Sequence, residues 1–207
     1  MEFDKVATIY KELLNTYSPS EAFTTQCWEN LQRMYSAPER HYHNLGHIAQ
    51  MLDALDASKA RPNNRDTLLF SIYYHDCIHV PGRSDNERQS AQYMRKSLSE
   101  TRFSEIEACH FQIMGTKHHL PSTCSDTNLL LDLDLSILGA DARSYDTYRR
   151  NIRKEFRAIP QLIYRAGRKA FIKSYLKRER IYKSKYFLLH YEDRARANLK
   201  RELASLG

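Results

Sequence analysis

With 207 residues, 42% hydrophobic and 28% charged, the chain suits a globular fold with one real core and a well-solvated surface. Only 6 Gly and 6 Pro interrupt it, too few for a sandwich or barrel, and no apolar run is long enough to span a bilayer. The formal net charge of +7 favours anionic partners, whether nucleotides, polyphosphates or nucleic acid.

Apolar residues recur at helical spacing from the start of the chain. Phe3, Val6, Tyr10, Leu13 and Leu14 predict one buried stripe, and Trp28, Leu31, Met34 and Tyr35 a second. Ile48, Met51, Leu52 and Leu55 give a third, followed by Leu68, Leu69, Ile72 and Tyr73. Val80-Pro81-Gly82-Arg83 reads as a loop, and Ser84-Asp85-Asn86-Glu87 as a capping box that starts a helix through Ala91, Met94 and Leu98. A helix through Ile106, His110 and Ile113 breaks at Leu120-Pro121-Ser122. Ser144 is the expected cap of a helix carrying Tyr145, Tyr148, Ile152 and Phe156 that ends near Pro160. The last helices carry Leu162, Ile163, Phe171 and Leu176, then Phe187, Leu188, Tyr191, Ala195 and Leu199. No stretch alternates with period two. The expected fold is all-α, one domain over residues 1–207.

The cysteines Cys27, Cys77, Cys109 and Cys124 are widely spaced, with no C-x-x-C pair, and read as free, mostly buried thiols. The charged, amphipathic N-terminus is unlike a signal peptide, which makes the cytoplasm the expected location and a membrane partner unexpected. Basic residues concentrate after residue 143, but acidic ones interleave with them, so a solvated helix face is favoured over a nucleic-acid groove. The aromatic C-terminal helices (Tyr175, Tyr182, Tyr186, Phe187, Tyr191) suit core packing, with a homodimer contact as the alternative.

Seven of the nine histidines are clustered: His41, His43 and His47 in RHYHNLGH, then His75 beside Asp76, His79, and the pair His118-His119. Asp132 and Asp134 lie inside the apolar run LLLDLDL. Ionised carboxylates are costly in such a segment unless something compensates them, and a divalent cation is the obvious compensator. Two imidazoles and two carboxylates offer the mixed nitrogen and oxygen ligands that Mn²⁺, Fe²⁺, Co²⁺, Ni²⁺, Zn²⁺ or Mg²⁺ accept. Four protein ligands on an octahedral ion leave positions for water and a phosphate oxygen.

The ordered series His47, His75-Asp76 and Asp134 resembles the H…HD…D signature of the HD superfamily of metal-dependent phosphohydrolases. RHYHNLGHI, YYHDCIHVPGRSDNERQSA, TKHH and LDLDLSILGA together are similar to a bacterial branch of predicted HD phosphohydrolases, and the similarity continues through IRKEF, GRKAF and YEDRARANLKREL. The resemblance implies an HD-type helical bundle, with a metal-site core at about residues 35–140 and C-terminal helices at about 144–205 packed on it. It implies His47, His75, Asp76 and Asp134 as ligands, with Asp132 the alternative to Asp134.

Several neighbours then become candidates for substrate. Arg40, His43, Lys117, His118 and His119 are the expected substrate-binding residues, with Arg83, Arg153 and Arg168 as further cations for an anion pocket. His43 shares the face of His47 if the helix starts that early, and His118 and His119 stand where some members of the superfamily bind a second metal. Asp76 and Glu87 are the catalytic candidates, Glu87 as the group that orients or deprotonates the attacking water. Where this branch is expected to carry a tyrosine, His79 stands instead, which bears on selectivity. The expected activity is hydrolysis of a phosphate ester or anhydride of a small molecule, foremost a nucleotide. The alternatives are a non-catalytic nucleotide- or metal-binding protein and a basic helical nucleic-acid binder.

Overall fold

In the computed structural model, which describes residues 2–207, α1 (Glu2–Asn15) turns Val6, Tyr10, Leu13 and Leu14 inward. The side chain of Phe3, expected on that stripe, lies outside the described residues. Helix α2 (Glu21–Tyr35) meets α1 with Trp28, Leu31 and Tyr35, and its first turn is held by Ser20, whose hydroxyl accepts from the Phe23 N–H. Next come α3 (Leu45–Ser58) and α4 (Arg65–Tyr74).

Every residue of α4 from Thr67 to Tyr74 is buried. A helix that is apolar on all sides belongs in the middle of a bundle, and α4 packs against α1, α3, α5 (Asn86–Leu98), α6 (Ile106–Gly115) and α7 (Ser125–Asp134). Tyrosines fix its C-terminal end. The Tyr73 hydroxyl donates to the Val6 carbonyl at 2.8 Å, Tyr35 donates to the Tyr73 carbonyl at 3.0 Å, and the Tyr10 and Tyr74 hydroxyls share a bond of 2.7 Å.

Its other end is tied to α7. Asp126, in the first turn of α7, accepts the Asn63 and Asn64 N–H groups at 2.9 and 2.8 Å, and Asn64 caps α4 by accepting from Thr67. Helices α4 and α7 each have 10 residues and start at one level, so they run parallel and finish together. That register brings His75 and Asp134 to the same end of the bundle.

After α7 a 3₁₀ turn (Leu135–Gly139) leads into α8 (Ala142–Glu155), α9 (Gln161–Leu176), α10 (Lys185–His190) and α11 (Glu192–Ser205). Helices α8 and α11 pack on the 3₁₀ turn, and the Asn198 amide donates to the Leu138 and Ala140 carbonyls. Gly139 permits this approach, since a Cβ there would come within 2.7 Å of the Tyr191 backbone oxygen. Tyr175, Tyr182 and Phe187 are buried in the core, and Tyr186 and Tyr191 are packed against it, so the C-terminal aromatics serve the core. Among the described residues there is no strand, and no helix is long and apolar enough to cross a membrane. All four cysteines are free and three are buried.

Two expected caps are corrected. Ser84 does not start α5: Asp85 stands at its N-cap, while the Asn86 side chain closes the preceding loop by bonding both the N–H and the carbonyl of Val80. Ser144 lies inside α8, whose cap is Asp141, accepting from the N–H groups of Arg143 and Ser144. In both places a nearby Asp or Asn has the side-chain reach that the backbone needs.

Arg168 and Glu202 form a buried pair, with Nε–Oε1 at 2.9 Å and Tyr145 also donating to Glu202. Burial works against the Glu202 carboxylate, but Arg168 and Tyr145 overcome it and hold its pKa below the ordinary range. Such a depressed pKa contributes stability above the unfolded value, about 4.3, that is lost as pH falls through the folded one. Glu202→Gln is expected to cost about 3 kcal/mol at pH 7. In thermal melts at several pH values, the gap between wild type and variant should shrink towards pH 3; a constant gap contradicts the assignment.

Candidate metal centre

The site forms where three helix ends and one loop meet. The Asn44 side chain accepts from the Gly46 N–H and starts α3, which puts His47 in the first turn. His75 is the cap residue that ends α4, so Asp76 follows immediately in the turn. Asp134 is the last residue of α7. Arg40 clamps these pieces: its guanidinium donates to the carbonyls of His43, Asp76 and Cys77 at 2.7–2.9 Å and lies over the Tyr35 ring.

His47, His75 and Asp134 converge, one donor atom each within 4.8 Å of the others. The two Nε2 atoms are 3.3 Å apart, and Asp134 Oδ1 is 3.2 Å from His47 Nε2 and 3.6 Å from His75 Nε2. Donors bound to one cation at about 2.0–2.2 Å stand roughly 3.0–3.5 Å from each other, so the triangle has the dimensions of one face of a coordination shell. His75 Nδ1 lies 2.9 Å from the Ile72 carbonyl, a bond that requires the proton on Nδ1 and turns the lone pair of Nε2 into the site. The donor set therefore fits a divalent cation.

Electrostatics point the same way. Burial pushes the His47 pKa down. Burial also opposes a charge on His75, yet Asp76 and Asp134 raise its pKa well above the usual value. Asp134 is held well below the carboxylate range despite burial, by the charge of His75 and by hydrogen bonds from His119, His47 and His75. The pocket thus concentrates negative potential on its imidazoles, and a cation can take the place of a proton there.

Asp76 sits beside the triangle, its Oδ2 3.4 Å from His75 Nε2 and 3.8 Å from His43 Nε2. His43 precedes α3 instead of sharing its face, because the helix starts at Leu45. Its ring still enters the site, Nδ1 lying 2.6 Å from Glu155 Oε2. Burial disfavours its charge, but Glu155, Asp76 and Asp134 outweigh burial and raise its pKa. His119 also arrives, bonded to Asp134 Oδ2 at 2.8 Å from a turn with φ of 49°.

A cavity of about 440 Å³ opens from Asp76 and Asp134 past His43, His79, Glu87 and Tyr148 to the outer residues Arg83, Lys117, His118 and Arg178. Arg40 and Arg153 do not face it. Arg40 spends its donors on the three carbonyls, and Arg153 bonds Gln161 and the Phe156 carbonyl. Arg168 is likewise committed to Glu202 and Tyr148. The expectation of substrate contacts from these three arginines is corrected on that ground: each guanidinium already holds the protein to itself.

Asp132 is excluded from the triangle by helix geometry, since two residues turn it about 200° from Asp134. It is fully buried elsewhere and accepts the backbone N–H groups of Lys183 and Ser184. Glu155 and Arg178 escaped the sequence reading. The signal for Glu155 was present: it continues the buried stripe Tyr145, Tyr148, Ile152 of α8 at helical spacing, a place where a carboxylate needs partners. Arg178 carries no such signal, because only the tertiary fold turns it to the carbonyls of His118 and His119.

Neither protein-family models, nor curated proteins, nor solved structures give a match to the chain.

The two aspartates of α7 are separable by experiment. Asp132→Ala is expected to lower stability by about 2–3 kcal/mol, leaving two buried N–H groups unpaired, while metal affinity changes little. Asp134→Ala should weaken metal binding at least about 100-fold with a smaller stability loss in the metal-free protein. Calorimetric metal titration beside thermal melts checks both; the reverse pattern would exchange their roles.

Proposed function

We propose that the protein is a metal-dependent phosphohydrolase that cleaves a phosphate ester or anhydride of a small molecule, foremost a nucleotide. The observation that carries this reading is the triangle of His47, His75 and Asp134, whose aspartate lines a cavity with a cationic rim. A divalent cation bound at the triangle supplies Lewis acidity towards a phosphate oxygen and lowers the pKa of a water.

The protein's own groups do the rest. Lys117 and Arg178 line the cavity and give its mouth a positive potential, which raises the local concentration of a phosphorylated substrate. His118 and His119 belong to the same wall, and His119 holds the Asp134 carboxylate in one orientation. Asp76 supplies a further carboxylate at the floor. Glu87, from the first turn of α5, reaches the cavity and takes the role of orienting water and accepting its proton. Tyr42, Tyr148, Phe156 and Tyr175 offer flat apolar surface to a leaving group such as a nucleobase. Four unpaired thiols fit a reducing compartment, which favours the cytoplasm.

The nucleic-acid reading has less support. In the basic C-terminal region Arg149 and Arg201 pair with Asp146, Arg196 with Glu192 and Arg168 with Glu202, so much of the positive charge is answered locally.

The test is phosphate release from a panel of nucleotides and phosphate esters with Mn²⁺, Co²⁺, Ni²⁺ or Mg²⁺, wild type beside Asp76→Ala. Hydrolysis of at least one substrate, reduced 100-fold or more in the variant, is expected. Tight metal binding with no turnover of any substrate would make the protein a binding module instead.

A further inference from the structure

A second group of donors takes no part in the triangle: His43 and His79, which line the same cavity, and the buried Glu155 behind them each offer one ligand atom, all within 4.8 Å of one another. They come from the turn before α3, the loop after α4 and the end of α8. The rings of His43 and His79 lie face to face, centroids 4.0 Å apart and planes inclined by 27°. Glu155 Oε1 is fixed by the N–H groups of Tyr42 and His43, which leaves Oε2 towards the two rings, 2.6 Å from His43 Nδ1 and 3.8 Å from His79 Nε2.

One atom in this group lacks what a folded protein normally supplies. His79 Nε2 is buried and has no hydrogen-bond partner among the described residues. Orphaned buried polar atoms are rare and call for a cause, and a missing ion is one such cause. Charge gives a second reason. Asp76, Asp134 and Glu155 gather three mostly buried carboxylates around the histidines, more than a single divalent ion neutralises. Asp76 stands between the two groups, one oxygen 3.4 Å from His75 Nε2 and 3.8 Å from His43 Nε2. A carboxylate in that position can serve two ions, and paired catalytic ions stand about 3.5–4 Å apart.

We propose that His43, His79 and Glu155 form a second divalent-cation site, with Asp76 shared between it and the His47–His75–Asp134 centre. This rests on reading that triangle as the first site. Two imidazoles and a carboxylate select a borderline transition ion such as Mn²⁺, Fe²⁺, Co²⁺ or Zn²⁺ over Ca²⁺. His118 and His119 are not part of it, since His119 is bonded to Asp134 and His118 is exposed at the rim.

The test is metal stoichiometry of the 207-residue chain, stripped of metal and titrated with Mn²⁺, read by calorimetry and native mass spectrometry. Wild type should take up two equivalents and His79→Ala one, with an unchanged circular dichroism spectrum. Electron paramagnetic resonance of the Mn²⁺-loaded wild type should carry the signature of two coupled ions, and His79→Ala that of an isolated ion. Glu155→Gln should also bind one equivalent; its melt must be followed, because Glu155 holds the backbone before α3 as well. Saturation of wild type at one equivalent, or two equivalents retained by His79→Ala, overturns the second site and leaves the first intact. Uptake of no ion by wild type overturns both.

Discussion

Asp76, Asp134 and Glu155 are mostly buried, and an ionised carboxylate is stable in such a place only when donors or positive charge surround it. Much of the bundle's polar architecture answers that requirement. His47, His75 and His119 gather on Asp134, His43 and two backbone N–H groups gather on Glu155, and the Arg40 guanidinium lies behind the turn that carries Asp76. These groups balance one another in part, and the triangle has the size and donor chemistry to take a cation for the remainder.

Holding such donors within tenths of an ångström demands rigid supports. Helix α4 provides the main one: it is surrounded by five neighbouring helices, capped by Asn64, tied to α7 through Asp126 and pinned at its far end by Tyr10, Tyr35 and Tyr73. Equal lengths then carry His75 and Asp134 to one level. The C-terminal helices close the pocket, with α8 bringing Tyr148 and the chain after α9 bringing Arg178. The geometry of the donor triangle and the packing of the bundle are thus joined. A core change in α4 would move a donor of the triangle as well as cost stability, whereas a change at the rim would alter only the potential at the cavity mouth.

The helical nature of the chain was legible because apolar residues keep the 3.6 period along α1 to α4, whereas the burial of α4 on all sides showed only in the structure. Helix starts were less legible: Ser84 and Ser144 look like caps, but Asp85, one residue after Ser84, and Asp141, three residues before Ser144, occupy the cap positions. The grouping of His47, His75 and Asp134 was implied by the resemblance of their order to the H…HD…D signature, and Asp134 rather than Asp132 joins the two histidines because of the face each occupies on α7. Arginine roles were not legible. Arg40 and Arg168 are buried on internal acceptors, and nothing in their sequence neighbourhoods distinguishes such a clamp from a phosphate contact. Glu155 was readable from its place on an apolar stripe, but its partner His43 is more than a hundred residues away, a contact that only the fold makes.

Anomalous diffraction from crystals grown with Mn²⁺ or Co²⁺ tests the central claim most directly. A peak within about 2.0–2.3 Å of His47 Nε2, His75 Nε2 and an Asp134 oxygen is the expected result. A strong peak elsewhere on the molecule, with these three side chains left uncoordinated at saturating metal, would contradict it.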